Sequence, residues 1–212
     1  MFNVEALTDE RRYNVAPPQD VPIIRQDEAR NREMAIVRWG LIPHWAKDPS
    51  DLKARMINAR SETMASKPAY RTAFKHRRCL VPAAGFCEWK KSGRTKQPYF
   101  IRRKDGEPVA FAGLWDRWQR DGEAIETCVI LTTDSNHLIK DIHDRMPVIL
   151  KPDDFELWLE PEVRDLESLK HLLAPYPLDD LEAYPVTKAV GDPRASGPEL
   201  LEPTSTSHET TR

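Results

Sequence analysis

Glycine is scarce. Eight residues in 212, none spaced as GxGxxG or GxxxxGK[ST], leave no loop to cradle a phosphate, which argues against nucleotide-cofactor folds. Cysteine is sparser still: Cys79, Cys87 and Cys128 are odd in number and lack CxxC spacing, so neither a disulfide framework nor a thiolate zinc site is suggested. The six His form no HExxH pair, and no structural metal is expected. No apolar run approaches the ~18 residues of a membrane helix, and the opening Met-Phe-Asn-Val-Glu-Ala has no basic-then-apolar leader pattern. A soluble cytoplasmic protein with no membrane partner is expected.

What is present suffices for one core, at 40% hydrophobic residues with six Trp. A single domain over 1–203 is expected, followed by a polar Ser/Thr-rich tail, 204–212, left unstructured. The net charge of −2 conceals a division: residues 53–104 hold 15 Lys and Arg against Glu62 and Glu88, a net of +13, and the remainder carries −15. Such an excess across several elements points to a polyanion on one face, although a solvated basic surface is the commoner origin of a charge run. Eighteen prolines exceed the usual ~5% and punctuate loops at Pro17-Pro18, Pro43, Pro147 and 175–177.

Short apolar or alternating runs bounded by turn residues predict strands over 22–25, 34–42, 79–89, 98–102, 109–115 and 126–133, with another over 148–150. Between them, 67–77 reads as a helix whose Lys67, Arg71, Lys75 and Arg78 form a basic stripe. Asp105-Gly106 is a hairpin turn signal, and Ser92-Gly93 lies in a second, basic hairpin over 90–96. Helices are predicted over 152–159 and 165–173, each opened by Pro or acidic residues. Strands first and helices later favour α+β with a largely antiparallel sheet.

Polar groups beside aromatic or turn residues concentrate in RYNVAP (12–17), WGLIPHWAK (39–47) leading to INARSET (57–63), GFCEW (85–89) and DIHDRMP (141–147). Residues two apart in extended chain share a face, which pairs Asn58 with Arg60 and His143 with Arg145, and sets Glu88 with Phe86, opposite Cys87. Glu88, in an apolar strand inside the basic window, is an acid/base candidate, pushed up by burial and down by cations; taken alone, an ion pair is its commoner role. His143 could shuttle protons near neutral pH or be an ordinary loop hydrogen-bond donor. Asn58 and Arg60 could grip a sugar or phosphate, Arg by its planar fork, though an Asn in a turn beside a surface Arg is ordinary. Trp45 could stack on an unpaired base, while Trp39, Trp89 and Trp115 are expected in the core.

Together RYNVAP, WGLIPHWAKD, INARSET, CLVPAAGFCEWKK and IHDRMPVIL, followed by YPVTKAVG and GPELLEP, resemble the SOS response-associated peptidase family of abasic-site processing proteins, over about residues 12–203. The resemblance implies a barrel-like curled sheet with flanking helices around a positively charged channel for single-stranded DNA, in a monomer without cofactor. It also implies covalent capture of abasic sites by an N-terminal cysteine exposed when the initiator Met is removed, the same nucleophile serving in self-removal of an N-terminal residue or propeptide. Carried onto this sequence, Glu88, His143 and Asn58 would be catalytic, and Asn14, Trp45, Arg60, Thr132 and Arg145 would bind the DNA or complete the abasic-site pocket.

Family members begin Met-Cys-Gly-Arg, with a helix before RYN, whereas this sequence begins Met-Phe-Asn-Val-Glu-Ala-Leu. The nucleophile is therefore expected to be missing through a late start or a truncation. Cys79, Cys87 and Cys128 are not expected to replace it, since none carries a free α-amine. A non-covalent single-stranded DNA-binding module and a thiol peptidase acting on proteins stand as the alternative readings.

Overall fold

The computed structural model describes residues 1–5, 11–48 and 56–204. Lys53 and Arg55 of the basic window, and the predicted tail beyond Thr204, lie outside these. The chain runs β1 (Asp20–Gln26), β2 (Arg32–Trp39), β3 (Asn58–Arg60), α1 (Arg71–His76), β4 (Arg78–Ala83), β5 (Phe86–Ser92), β6 (Thr95–Arg103), β7 (Val109–Arg120), β8 (Glu123–Asp134), α2 (His137–Lys140), β9 (Arg145–Pro147), β10 (Ile149–Leu150), α3 (Phe155–Leu159), α4 (Leu166–Leu169) and β11 (Leu181–Pro185).

Strands β7, β4, β1, β2 and β8 pair in that order, and β8 returns to β7. The sheet is thus a closed five-stranded barrel. Four joints are antiparallel; the fifth is a short parallel one, with Arg38 opposite Thr127 and Trp39 opposite Cys128. β3 and β9 extend β8, and β10 extends β7, while β11, β6 and β5 form a second, three-stranded sheet. This is the α+β, largely antiparallel and curled sheet with flanking helices that the sequence predicts.

Ile23, Val37, Val81, Phe111 and Ile130, one from each barrel strand, pack into a single cluster. In a closed ring, only the inside brings all five strands together. The opposite face of β4, β7 and β8, with Leu80, Leu114 and Leu131, is covered by Phe74 of α1, Phe155 and Trp158 of α3 and Leu169 of α4. Each large apolar side chain so buried contributes about 1.5–3 kcal/mol.

Three local expectations need correction. The run 79–89 is two strands, because Gly85 crosses β6 too closely for a side chain: a Cβ there would lie 2.3 Å from the Ile101 carbonyl oxygen and 2.7 Å from the Phe100 ring. β4 stays in the barrel and β5 departs for the second sheet. Gly85→Ala is therefore expected to cost about 1–3 kcal/mol, as overpacking does, read as a lower urea midpoint.

Arg78 leaves the predicted basic stripe. The chain quits the helical region at Arg77 (φ −138°, ψ 58°), and Arg78 opens β4 with its side chain buried, while Lys67, Arg71 and Lys75 stay exposed. Asp105-Gly106, finally, joins strands of different sheets and so makes no hairpin. The tight barrel hairpin turns instead at Asp121-Gly122, between Arg120 and Glu123, with φ of 50° and 86°, the positive values that a two-residue I′ turn requires.

Candidate active site

Alternation along β5 sends Phe86 toward the barrel, where it meets Phe111 edge-on at 5.8 Å, and sends Cys87 and Trp89 against Phe100 and Val186 on the other side. Glu88 shares the face of Phe86, half-buried. Its Oε1 lies 4.0 Å from Nδ1 of His143. Burial pushes the Glu88 carboxyl above the ordinary carboxylate range, and the nearby His143 and the Trp89 N–H pull it partly back.

His143 is held from behind. Its backbone N–H donates to the Ile139 carbonyl at 2.8 Å, just past the end of α2. That helix is fixed in turn by Asn136, whose side chain accepts from the Ile139 N–H at 3.1 Å and donates to the Tyr176 carbonyl at 2.9 Å. Nδ1 of His143 is 3.1 Å from both the N–H and the carbonyl oxygen of Arg145. A bare Nδ1 accepts from the first and a protonated Nδ1 donates to the second, so both protonation states have a partner.

Arg145 continues the band. Its guanidinium donates to both Glu62 oxygens at 2.7 and 3.0 Å, to Asp134 at 2.8 Å and to the Thr132 carbonyl at 2.6 Å. The guanidinium expected to bind the DNA or complete the abasic-site pocket is thus held in a clasp between β8, β9 and the turn after β3. Across β8, Arg60 stands opposite Thr132 and Asn58 opposite Ile130. Both are exposed, with Ala59 between them in the core. The Arg60 carbonyl accepts from the Thr63 and Met64 N–H groups, but among the described residues the Arg60 guanidinium has no hydrogen-bonded partner.

The clasp makes a pH prediction. Hydrogen bonding to Arg145 holds the Glu62 carboxyl below its ordinary value, so the unfolded chain binds that proton more readily, and stability falls as pH drops through the folded value. Since Glu62 is largely in water, the contribution at neutral pH is about 0.5–1 kcal/mol. Urea midpoints of the wild type and of Glu62→Gln should differ at neutral pH and converge in acid.

Two sequence-predicted residues lie apart from this band. Trp45, 54% exposed, is on the loop after β2. Asn14 donates to the carbonyls of Asp192 and Ala195 at 2.9 and 3.2 Å, tying RYNVAP to the C-terminal loop. The Trp45 loop is fixed by residues the sequence reading missed. Buried Asp116 accepts from the His44 N–H and from Arg77, each at 2.9 Å, and Trp118 Nε1 donates to the Ala46 carbonyl at 2.8 Å. An available signal was the alternation Leu114, Asp116, Trp118, which sets an acid between two core side chains.

The sequence model of the SOS response associated peptidase (SRAP) family matches residues 2–193. The chain belongs to that family. It is 44% identical to the abasic site processing protein YoqW of Bacillus subtilis, over 95% of this chain and 92% of that protein, and 33% identical to YedK of Escherichia coli, over 91% and 84%. A crystal structure of a protein from Bacteroides thetaiotaomicron superposes with a TM-score of 0.80 at 32% identity, covering 89% of this chain and 82% of that one.

Within this SRAP chain none of the three cysteines is poised as a nucleophile. Burial drives the Cys128 thiol to about 12 and Cys79 well above its ordinary value. Cys87 is raised to about 11 by burial, helped by Glu88. All three are held toward the thiol form at neutral pH, and the two that are fully buried, Cys79 and Cys128, are of the inert kind. Among the described residues, no group of three or more His, Cys, Asp or Glu could hold a metal ion, and no helix is long and apolar enough to cross a membrane.

Proposed function

We propose that this protein, a single domain over 1–203 acting as a monomer, binds single-stranded DNA and processes abasic sites in it. The observation that carries the reading is the Glu88–His143 pair at 4.0 Å, continuous through Arg145 and Thr132 with exposed Asn58 and Arg60. The relatives named abasic site processing proteins support it.

A ring-opened abasic sugar is an aldehyde. An α-amine, with pKa of about 7.7–8, is partly neutral at physiological pH and adds to the carbonyl carbon. Glu88, raised by burial, carries a proton to the departing hydroxyl as water leaves and the imine forms; His143 moves protons to and from the sugar oxygen. A thiol on the residue bearing the amine then adds to the imine carbon and closes a thiazolidine. That covalent step needs an N-terminal cysteine of the family type, which none of the three cysteines in the sequence is. The same cysteine would perform peptidase-type self-processing.

Asn58 orients the sugar, Arg60 takes a phosphate, Thr132 and the Arg145 clasp fix the pocket wall, Asn14 braces the N-terminal motif and Trp45 stacks on an unpaired base. Binding to single-stranded DNA should weaken with salt at a log–log slope of roughly −0.7 per phosphate contacted, as measured by fluorescence anisotropy of a labelled oligonucleotide. Duplex of the same length should bind less well, since stacking needs unpaired bases. Salt-independent binding would refute the electrostatic footing of this reading.

A further inference from the structure

A cleft of about 420 Å³ lies on the opposite face of the second sheet from Glu88. The register decides the face: Glu88 stands opposite Tyr99, whereas Cys87 stands opposite Phe100, and Tyr184 of β11 pairs with Phe100 from the other side. Phe100 and Tyr184 meet edge-to-face at 5.9 Å and, with Leu201, give the cleft an apolar wall. Its charge comes from Arg11, Arg12 and Arg102.

Arg102 donates to Glu182 at 2.7 Å and sits 5.5 Å over the Tyr184 ring. Arg11 and Arg12 are exposed, and among the described residues neither has a hydrogen-bond or ion-pair partner. The cleft thus gathers three guanidinium groups, of which only Arg102 is paired with a carboxylate. Guanidinium forks match phosphate oxygens, π-faces accept a nucleobase, and the volume lies in the ordinary range for small-molecule sites, about 300–1,000 Å³.

We infer that this cleft is a second binding site, separate from the Glu88–His143 band, for a nucleoside 5′-monophosphate: base against the partly exposed Tyr184, which buried Phe100 backs, phosphate on Arg11 and Arg12. The wall carries no side-chain amide to read a base edge, so the site takes purine and pyrimidine alike.

Calorimetric titration of the full chain with AMP, inorganic phosphate and adenosine tests this. AMP should bind at least about tenfold more tightly than either fragment, because it engages both halves of the cleft. Arg11→Ser with Arg12→Ser should weaken AMP about tenfold and leave adenosine unchanged, whereas Tyr184→Leu should weaken AMP and adenosine together. The two arginines are exposed, so their replacement does not threaten the fold. Glu88→Gln should leave AMP binding unaltered. Phosphate binding as tightly as AMP, no detectable AMP binding, or AMP affinity that falls with Glu88→Gln but not with the arginine variants would each overturn the inference.

Discussion

Glu88→Gln should slow covalent capture of abasic DNA by about 10²- to 10⁴-fold while strand affinity stays within about twofold, because Gln keeps the shape and loses the proton. The assay needs a chain carrying a family N-terminal segment, Met-Cys-Gly-Arg and the helix after it, and scores the adduct that survives a denaturing gel. The 212-residue chain itself should give no such band, since its three thiols are protonated at neutral pH and none adjoins an α-amine. His143→Ala should slow the same step with little loss of binding, whereas Asn58→Ala and Arg60→Ala should weaken engagement of the abasic nucleotide itself. If Glu88 and His143 are only an ion pair, both substitutions lower the melting temperature and scale every rate by the folded fraction. Rates and melting curves measured on the same preparations separate the two, and a rate loss wholly explained by unfolding removes the pair from the mechanism.

That pair was legible because strand alternation is local. Glu88 facing away from Cys87, and Asn58 sharing a side with Arg60, follow from a period of two. The approach of Glu88 to His143, 55 positions apart, came from the family resemblance, since it depends on β5 leaving the barrel at Gly85. An apolar run on both sides of that glycine hid the break. Asp105-Gly106 and Asp121-Gly122 are the same dipeptide, yet one links two sheets and the other closes a hairpin; what differs is the pairing of the flanking strands, which lies outside the turn. Arg145 shows a further limit. Its spacing from His143 is local, but its clasp on Glu62 and Thr132 depends on three elements meeting, which no local pattern shows.

Arg78 is where helix periodicity misled most, and where substitution should do the greatest structural damage. Arg78→Met is expected to cost roughly 2–6 kcal/mol, the range for leaving two buried carbonyls without a donor. The guanidinium donates to the Trp158 carbonyl at 2.5 Å, to the Phe74 carbonyl at 2.7 Å and to the Glu160 carbonyl. Phe74 lies in the last turn of α1 and Trp158 in that of α3, whose final carbonyls have no partner within their own helices. One side chain therefore caps two helices from the barrel wall, with its cation at their negative ends. Burial lowers Arg78 to about 10, still protonated at neutral pH, so the charge is retained and its hydrogen bonds compensate its desolvation. Met fills similar space but leaves the Trp158 and Phe74 carbonyls without a donor, each worth about 1–3 kcal/mol when buried, while the Glu160 carbonyl keeps the Val163 N–H at 3.2 Å. Against a total stability of about 5–15 kcal/mol, such a loss should appear as a large drop in urea midpoint at unchanged slope. Arg78→Lys should recover only part of it, because an ammonium cannot span three acceptors in the geometry of a planar fork. A loss below about 1 kcal/mol for Arg78→Met would show that the Arg78 guanidinium does not hold the two helix ends together.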